Sequence, residues 1–439
     1  MIMKKSKFLL LLGTVFSTVA CNSGVSALRG ANLLREPSKT TKAAFNSKEY
    51  DNFKEKLKTF SNKFSETYLS QAYEDGKNLT ISPLSLEMCL GLAVCGSSGE
   101  TRQEILNAFD IDYETFKKYY KGFYWEFNES RKSENNEPMF DISNTNSIWI
   151  DEDVALLDSG LDALKDDYYC YSYKTDFKKD KAGEQISAFI EQESKGLLKP
   201  ELHFNPLTLF VLMNTLYLKD IWNMEGDNLE FSEDPEHYFT NSDNKISTKK
   251  LLKSYYSAGR AIKTDDYSGF YTKTCNGFKI YFVKPNEGKE LKNVFNKETM
   301  DYVLGNNYIT EDNVNKEWYF TRCIFPEFEG DCDTELKDIL SQNFNIRSLF
   351  DRDYCNFSNL TDEKVYCEGV TQIAKLEVNK KGIEGAAVTF MPVCGEAMRD
   401  DEEPYTSIYE DFLVDKEFGY ILTYKDSVVF SGVVTNIDK

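Results

Sequence analysis

One segment constrains the fold more than any other, because it is apolar on every side of the helix that it predicts. This segment runs from Ser85 to Gly96, and its apolar residues are Leu86, Met88, Leu90, Leu92, Ala93 and Val94. A helix that is hydrophobic all round is normally buried. Other elements must therefore cover it, and the sequence predicts a large domain built around this central helix.

The segments before and after this helix predict its surroundings. An amphipathic helix is predicted where apolar residues recur at helical spacing, at Phe53, Leu57, Phe60, Phe64 and Leu69. The β-rich runs 210–218 and 278–283 predict strands, and the runs 419–424 and 427–435 predict a hairpin. Because helices dominate early and strands late, we predict an α+β fold. No low-complexity linker divides residues 48–439, so we predict one domain there.

Charge and histidine content exclude several classes of function. The 439 residues include 52 Lys and Arg against 72 Asp and Glu, a formal net charge of −20. This charge argues against nucleic acid as a partner. The chain has only two histidines, His203 and His237, which leaves little material for a catalytic triad or a histidine-rich metal site. Gly-rich phosphate loops and the common hydrolase motifs are absent, so we predict no enzyme activity, no cofactor and no metal.

The cysteines give no sign of a zinc or redox site. The chain has ten, and none forms a Cys-x-x-Cys pair. Buried free thiols are the expectation, and a Cys323–Cys332 disulfide stays open at this point.

The N-terminus predicts export. Basic residues precede an apolar run that extends to Ala20, which is typical of a signal peptide at residues 1–20 and is short for a membrane-spanning helix. The sequence Thr18-Val19-Ala20-Cys21 resembles a bacterial lipoprotein signal, in which Cys21 would carry the lipid. The alternative is cleavage after Ala27, which would release the protein. Residues 21–47 predict a polar tether. We expect the protein outside the cell or on the outer face of the membrane, with Cys21 as its one membrane link.

Eight ordered segments carry a resemblance to a known family. They are 78–85 (NLTISPLS), 96–101 (GSSGET), 186–198 (ending SKGLL, similar to the helix that crosses the main sheet), 211–219 (VLMNTLYLK) with Trp222, 325–328 (FPEF), 357–360 (FSNL), 378–389 (VNKKGIEGAAVT) and 429–436 (VFSGVVTN). In this order they resemble the serpin family over about residues 48–439, including its exported or lipoprotein-type bacterial members.

The resemblance implies a fold and a mechanism. The fold would have about eight to nine helices around three β-sheets, with an exposed reactive-centre loop. The mechanism would be suicide inhibition, in which a target protease of the serine or cysteine type cuts the loop and is trapped as an acyl-enzyme. The cut loop then inserts as a new strand into the main sheet. The protein would act as a monomer; a non-inhibitory binding, carrier or surface protein is the alternative.

The hinge of this loop is implied at residues 382–389, which contain no proline that would block strand pairing. Its residues are Gly382, Ile383, Glu384, Gly385, Ala386, Ala387, Val388 and Thr389. Strand alternation predicts that Ile383, Gly385, Ala387 and Thr389 point inward and that Glu384 stays in solvent.

Two further groups of residues follow from the resemblance. Ser82, Ser85, Asn214 and Gln372 fall beneath the centre of the main sheet, in the region called the shutter, with Gln372 where many members have histidine. Trp222, Glu327 and Lys380 fall at the top of the sheet, in the breach. Glu327 and Lys380 are swapped in sign relative to the family, so we hypothesise a salt bridge between them.

The scissile bond is placed by the family's spacing. Fourteen residues after Gly382 stands Glu396, which puts the bond at Glu396–Ala397. The 36 positions from Gly382 to Phe418 are more than is usual, so the loop carries an insertion, which we place in the acidic stretch 399–410. Other choices for the scissile residue are Cys394, Met398 and Arg399.

Overall fold

The computed structural model describes residues 31–38, 44–74, 76–132, 138–222, 232–305, 311–312, 317–384 and 406–438. Within these ranges the chain forms eight α-helices and three β-sheets, which confirms the predicted α+β class and serpin-like architecture. The helices are α1 (Lys48–Ala72), α2 (Pro83–Gly96), α3 (Gly99–Phe109), α4 (Tyr113–Glu126), α5 (Asp158–Tyr168), α6 (Lys181–Glu193), α7 (Lys297–Leu304) and α8 (Lys337–Asn343). None of the described helices is long and apolar enough to cross a membrane.

The first sheet has eight strands in the order β1-β5-β4-β6-β17-β16-β15, and β3 pairs with β4 at one side. Its strands are β1 (Asn32–Arg35), β3 (Glu129–Lys132), β4 (Pro138–Asp151), β5 (Cys170–Thr175), β6 (Phe210–Ile221), β15 (Phe328–Glu335), β16 (Thr371–Asn379) and β17 (Gly382–Ile383). All pairs are antiparallel except β4 with β5.

The second and third sheets have six strands each. The second runs β10-β11-β12-β19-β20-β2 and consists of β2 (Leu79–Ile81), β10 (Ala261–Lys263), β11 (Tyr267–Lys273), β12 (Lys279–Pro285), β19 (Phe418–Tyr424) and β20 (Ser427–Val434). The third is centred on β14 and consists of β7 (Ser232–Thr240), β8 (Ile246–Lys253), β9 (Ser257–Ala258), β13 (Glu311–Asp312), β14 (Glu317–Pro326) and β18 (Thr406–Leu413).

The central helix α2 is buried as predicted. Ser82 caps its N-terminus by accepting a hydrogen bond from the Ser85 amide, and Pro83 occupies the first turn, where its missing N–H costs nothing. The helix contacts α1, α5, β6 and β20. Each of its buried leucines stabilises the fold by about 1.5–3 kcal/mol relative to exposure. This helix therefore holds the first and second sheets together.

The predicted amphipathic helix and C-terminal hairpin are both present, as α1 and as the strands β19 and β20. Ser47 caps α1, and the five apolar residues predicted for its inner face are all buried. Strands β19 and β20 pair across the two-residue turn Lys425-Asp426. Both turn residues have positive φ, 48° and 64°, which is the geometry that closes a two-residue hairpin.

The predicted tether is wrong for residues 31–38. Strand β1 pairs antiparallel with β5 at the edge of the first sheet, and Ala31 and Leu33 pack in the cluster beneath α6. Arg35 binds Asp158 and Asp162 of α5, at 2.6 and 2.9 Å. Sequence periodicity missed this strand because four residues held by backbone pairing and ion pairs need no long apolar pattern.

Helix α6 lies across one face of the first sheet. It contacts β4, β5 and β6 and buries Phe189 against Trp149 and Tyr173, with ring centroids 5.6 and 5.7 Å apart. The resemblance placed this helix at 186–198, but α6 ends at Glu193. Lys195 and Gly196 adopt left-handed backbone, with φ of 53° and 88°, and end the helix.

Candidate functional site

The two-residue strand β17 lies in the middle of the first sheet, between β6 and β16. Gly382 pairs with Asn379 of β16 and Ile221 of β6, and Ile383 pairs with Val378 and Asp220. A tight turn at Lys380-Lys381 joins β16 to β17, so the start of the implied loop is already a strand. The hinge therefore begins inside the sheet.

Beyond β17, the two long strands on either side of it do not pair with each other. Strand β6 pairs with β4 on one side, and β16 pairs with β15 on the other. Within the described ranges, β17 is the segment that bridges β6 and β16, and it covers only the Asp220–Ile221 end of β6. The sheet thus has a position for a longer strand that continues from Ile383.

Position 382 requires glycine because its backbone lies very close to the backbone of β6. Its φ is +155°, and a Cβ at this position would lie 2.1 Å from the Asp220 carbonyl oxygen and 2.9 Å from the Ile221 Cα. No side chain fits there without moving β6. Ile383 is fully buried, in agreement with its predicted inward orientation.

The prediction that Glu384 stays in solvent is wrong. Its side chain is only 14% exposed, and it accepts a 3.0 Å hydrogen bond from the Tyr217 hydroxyl while Lys219 Nζ lies 3.9 Å away. The cause is local backbone: φ of Glu384 is +56°, so the chain leaves strand alternation directly after Ile383. Burial raises the pKa of Glu384, although the Tyr217 hydrogen bond and Lys219 oppose this effect.

Burial also acts on the two partners of Glu384. Desolvation lowers the pKa of Lys219, and it raises that of Tyr217, which the Glu384 carboxylate raises further. These three residues link the end of β6 to the first loop residue after β17. Tyr217 and Lys219 were not predicted from the sequence. They alternate with Ile221, which places all three side chains on one face of β6, but this pattern does not show which loop contacts that face.

The three predicted breach residues lie together. Trp222 is buried, packs edge-on against Phe325 at 6.0 Å and donates its indole N–H to the Asn379 carbonyl at 2.8 Å. Glu327 Oε1 accepts a 2.6 Å hydrogen bond from the backbone amide of Lys380. Both contacts hold the turn between β16 and β17.

The hypothesis of a salt bridge between the side chains of Glu327 and Lys380 is wrong. The two residues are neighbours, but Glu327 binds the Lys380 main chain, and no ion pair joins their side chains among the contacts of the described residues. The Glu327 carboxylate binds the backbone amide of residue 380, and this contact does not depend on the side chain at that position. The reversed charges of Glu327 and Lys380 relative to the family therefore need not compensate each other.

This hydrogen bond predicts how substitutions of Glu327 and Lys380 change the free energy of unfolding. Glu327→Ala removes the acceptor and is expected to lower the free energy of unfolding by about 1 kcal/mol, whereas Lys380→Ala leaves the amide in place and should change it little. The double variant is expected to be additive within about 0.5 kcal/mol, measured by urea denaturation. A larger coupling energy would show that the ammonium group itself engages Glu327.

The predicted shutter residues Ser82 and Gln372 form one tight unit. Gln372 Nε2 donates to the Ser82 carbonyl at 2.8 Å, and its Oε1 accepts from the Ser82 amide at 2.9 Å. The Ser82 hydroxyl donates to the Val429 carbonyl at 2.8 Å and accepts from the Ser85 amide at 3.3 Å. The Gln372 side chain thus links β16 to the start of α2, and the Ser82 hydroxyl links that start to β20. Ser82 thus caps α2 and also contacts Gln372 of the first sheet.

Asn214 does not join this unit. Its amide donates to Asn146 Oδ1 at 3.0 Å and to Asn144 Oδ1, which puts it in a group of three asparagines on β6 and β4. Asn146 also donates to the Tyr120 hydroxyl at 3.1 Å. Sequence reasoning missed Asn144 and Asn146, although two asparagines in a strand of buried residues are an unusual pattern that could have marked them.

The remaining predicted site residues lie outside the described ranges. These are Gly385, Ala386, Ala387, Val388 and Thr389 of the hinge, the scissile pair Glu396 and Ala397, its alternatives Cys394, Met398 and Arg399, and the lipidation candidate Cys21 with the signal peptide.

The described residues include one cluster of potential metal ligands and eight cysteines. In the part of the chain that the structure describes, one group could offer three metal ligands, namely Asp234, Glu236 and His237. Asp234 already accepts a 2.6 Å hydrogen bond from His237 Nδ1, which accounts for this arrangement as a local hydrogen-bonded pair. All eight described cysteines are free thiols, and Cys323 and Cys332 are among them.

Comparison with known proteins agrees with this geometry. The family model described as serpin (serine protease inhibitor) matches residues 58–437. A serpin-like protein of Methanosarcina acetivorans without an assigned role is 25% identical over 407 residues, covering 88% of this chain and 86% of its own. Human serpin I2 is 23% identical over 385 residues, covering 82% of this chain and 86% of its own.

A solved structure shares the fold. The thermophilic serpin tengpin in its native state superposes with a TM-score of 0.71 at 17% identity, covering 92% of this chain and all of its own. The family match spans most of the chain, and the described hinge, shutter and breach residues fall in its range. The chain therefore belongs to the serpin (serine protease inhibitor) family.

Proposed function

We propose that this chain inhibits a protease as a suicide substrate. The target cuts the reactive loop near Glu396–Ala397, and the loop then continues β17 as a full strand between β6 and β16. The observation that carries the proposal is the position of β17 between two long strands that do not otherwise pair within the described part of the chain.

The chemistry belongs to the protease, and this chain supplies the substrate and the driving force. The protease nucleophile attacks the Glu396 carbonyl carbon, the bond to the Ala397 nitrogen breaks, and Ala397 leaves with a proton as a free amine. The enzyme is then held as an acyl ester or thioester. This chain contributes no catalytic residue, so we propose that it is not itself an enzyme.

Insertion would provide a large free energy. A strand of about a dozen residues pairs on both edges, and each backbone hydrogen bond is worth roughly 1 kcal/mol net. Buried alternate side chains add to this, beginning with Ile383. The uncut form would then persist as a kinetically stable state whose strain cleavage releases. A glutamate at the bond favours a Glu-preferring serine protease or a tolerant cysteine protease as target.

Mixing the purified full chain with Glu-specific, elastase-like, trypsin-like and papain-like proteases tests this proposal. We expect a covalent complex that survives boiling in SDS with at least one of them, together with a released C-terminal peptide that begins at Ala397. Clean cleavage with no complex and no gain in thermal stability would contradict it and favour a binding or carrier protein.

The proposal includes a place of action. We propose that the protein is exported and meets its target outside the cell or on the outer face of the membrane, either released or held by a lipid at Cys21. The basic and apolar N-terminal residues support this, as does Cys21 after Thr18-Val19-Ala20. The mass of the mature N-terminal peptide distinguishes lipidated Cys21 from cleavage after Ala27.

A further inference from the structure

Two of the free thiols stand at the two ends of one stretch of chain between α8 and β16. Cys355 and Cys367 flank residues 356–366, called here the connecting segment. Cys355 is buried, at 8% exposed, and Cys367 is partly buried. Neither residue belongs to the hinge, the shutter or the breach, so a role for this pair would be separate from loop insertion.

Backbone hydrogen bonds bring the two ends of the connecting segment to the same place. The Cys355 amide donates to the Asp351 carbonyl at 2.9 Å, and the Cys367 amide donates to the Leu349 carbonyl at 3.0 Å. One short stretch, 349–351, thus holds both cysteines. The same Cys367 amide also acts as a hydrogen-bond donor to the Cys355 sulfur. Because the nitrogen and Cβ of one residue are about 2.5 Å apart, the Cys355 sulfur lies close to the Cys367 Cβ.

Side chains next to the two cysteines make contacts across the same gap. The Arg352 guanidinium donates to the Tyr366 hydroxyl at 2.8 Å and lies over the Tyr366 ring at 4.6 Å from its centroid. Lys364 forms an ion pair with Asp353 at 3.0 Å. Exposed contacts of this kind add little stability. They show, however, that the chain before Cys355 and the chain before Cys367 lie side by side.

Cys89 of α2 is a competing partner for Cys367, because its charge would also act on the Cys367 thiol. The Cys89 sulfur, however, donates to the Leu212 carbonyl of β6 at 3.7 Å, and α2 is the buried central helix. Pairing Cys89 with Cys367 would turn this side chain away from β6 inside a packed core. Cys355 already contacts the Cys367 main chain, so the geometry favours Cys355.

We propose that Cys355 and Cys367 become joined by a disulfide when the protein meets a small-molecule disulfide oxidant outside the cell. The place of oxidation rests on the proposed export, because disulfides form and persist in oxidising compartments. The pairing itself rests only on the contacts of the described residues. The bond would close the connecting segment into a covalent ring.

The reaction balances as two thiol–disulfide exchanges. The thiolate of one cysteine attacks a sulfur of the oxidant, and one half of the oxidant leaves as a thiolate. The second cysteine thiolate attacks the protein sulfur of this mixed disulfide and expels the other half. The protein thiols lose two electrons and two protons, and the oxidant becomes two thiols. Burial raises the pKa of Cys355 and raises that of Cys367 to about 12. Because the Cys367 amide opposes this effect at Cys355, we expect Cys355 to attack first.

The covalent ring would stiffen a segment that contacts two helices. The Asn359 side-chain amide donates to the Ser97 carbonyl at the end of α2 at 3.2 Å. The Asn356 backbone amide donates to the Thr101 hydroxyl of α3 at 3.0 Å. A disulfide that closes a ring lowers the conformational entropy of the unfolded chain. We therefore expect oxidation to stabilise the uncut protein.

The test maps the bond in the full chain. The purified chain is equilibrated at pH 8.5 in buffers of reduced and oxidised glutathione until its mass is constant. Free thiols are then alkylated, and the chain is digested with trypsin without reductant. Cleavage after Arg352, Lys364 and Lys375 separates the two cysteines into peptides 353–364 and 365–375. We expect mass spectrometry to find these two peptides linked in oxidising buffer and separate after reduction.

Thermal unfolding measures what the bond does. The ring has about 13 residues, so oxidised wild type is expected to unfold roughly 3 °C above the reduced form. Cys367→Ser should show no difference between oxidising and reducing buffer. The matched control is Cys275→Ser, which removes an exposed thiol outside the connecting segment and should keep the full difference.

The outcomes separate this pair from the inhibitory function. No linked peptides in any buffer, glutathione attached to Cys367 alone, or a link from Cys367 to Cys89 would overturn the pairing. A linked pair with no rise in the unfolding temperature would overturn its stabilising role. Covalent protease complexes decide the inhibitory function, and the mass of the mature N-terminal peptide decides export, so either can fail while the pairing stands.

Discussion

Under the proposed mechanism, Ile383→Arg is expected to convert the chain from a suicide inhibitor to an ordinary substrate. Ile383 is fully buried between β6 and β16, at the first pair of the strand that insertion would extend. An unpaired charge in the sheet interior costs several kcal/mol, so the arginine is expected to hold this position out of the sheet in the uncut form, and insertion after cleavage would have to bury it. Insertion would then be slower than hydrolysis of the acyl-enzyme. We expect at least a tenfold loss of SDS-resistant complex, with the loop still cut at the same bond.

The controls for this variant replace Ile383 with uncharged residues that are β-branched like isoleucine. Ile383→Val keeps a β-branched side chain and should retain complex formation, and Ile383→Thr should retain most of it. Thermal unfolding before and after cleavage gives an independent readout, because the hydrogen bonds of an inserted strand are expected to raise the unfolding temperature. We expect a rise for wild type and Ile383→Val and none for Ile383→Arg. Undiminished complex with Ile383→Arg would show that the inhibitory step does not pass through the β17 position.

Helices and strands with a clear apolar pattern could be predicted from the sequence. The apolar periodicity of α1 and the uniform apolar character of α2 both placed a helix correctly, because these residues supply the core. Strand β1 could not be predicted, since backbone pairing with β5 and the Arg35 ion pairs hold it rather than an apolar face. The end of α6 was misplaced because left-handed backbone at Lys195, a non-glycine residue, gives little sequence signal.

The candidate site was predictable where it depended on main-chain position and not where it depended on side-chain direction. The family pattern brought Ser82 and Gln372 together, and it placed Trp222 and Glu327 near the β16–β17 turn. It did not reveal that Glu327 binds an amide. It also put Glu384 in solvent, because strand alternation was assumed to continue through a residue whose φ is positive.

Glu87 is expected to make stability depend on pH, and Glu87→Gln is expected to remove that dependence. Glu87 lies in the core helix α2, is 2% exposed, and accepts a 2.7 Å hydrogen bond from the Ser61 hydroxyl. Its Oε2 has no hydrogen-bond partner within the described part of the chain. Burial raises the pKa of this carboxyl well above its ordinary value of 4.5, which outweighs the opposite effect of Ser61.

The direction in which stability changes with pH follows from proton linkage. Because the folded state holds the Glu87 proton more tightly than the unfolded state, the native state binds more protons once the pH exceeds about 4.5. Stability is therefore lost as pH rises from there through the raised native pKa. Glutamine has the shape of the protonated acid and keeps an acceptor for Ser61, but it cannot ionise. Its advantage over wild type should thus be small in acid and largest in alkali.

We expect Glu87→Gln to gain on the order of 2 kcal/mol over wild type between pH 5 and pH 8, the cost of leaving a buried polar group unsatisfied. Urea unfolding at both pH values measures this change. The matched control is Glu55→Gln on the exposed face of α1, where the ion-paired carboxylate is in water and the difference between the two pH values should be small. An equal effect of Glu87→Gln at pH 5 and pH 8 would contradict a protonated Glu87. It would require that the carboxylate is ionised in the core, with a compensating cation or solvent beside it.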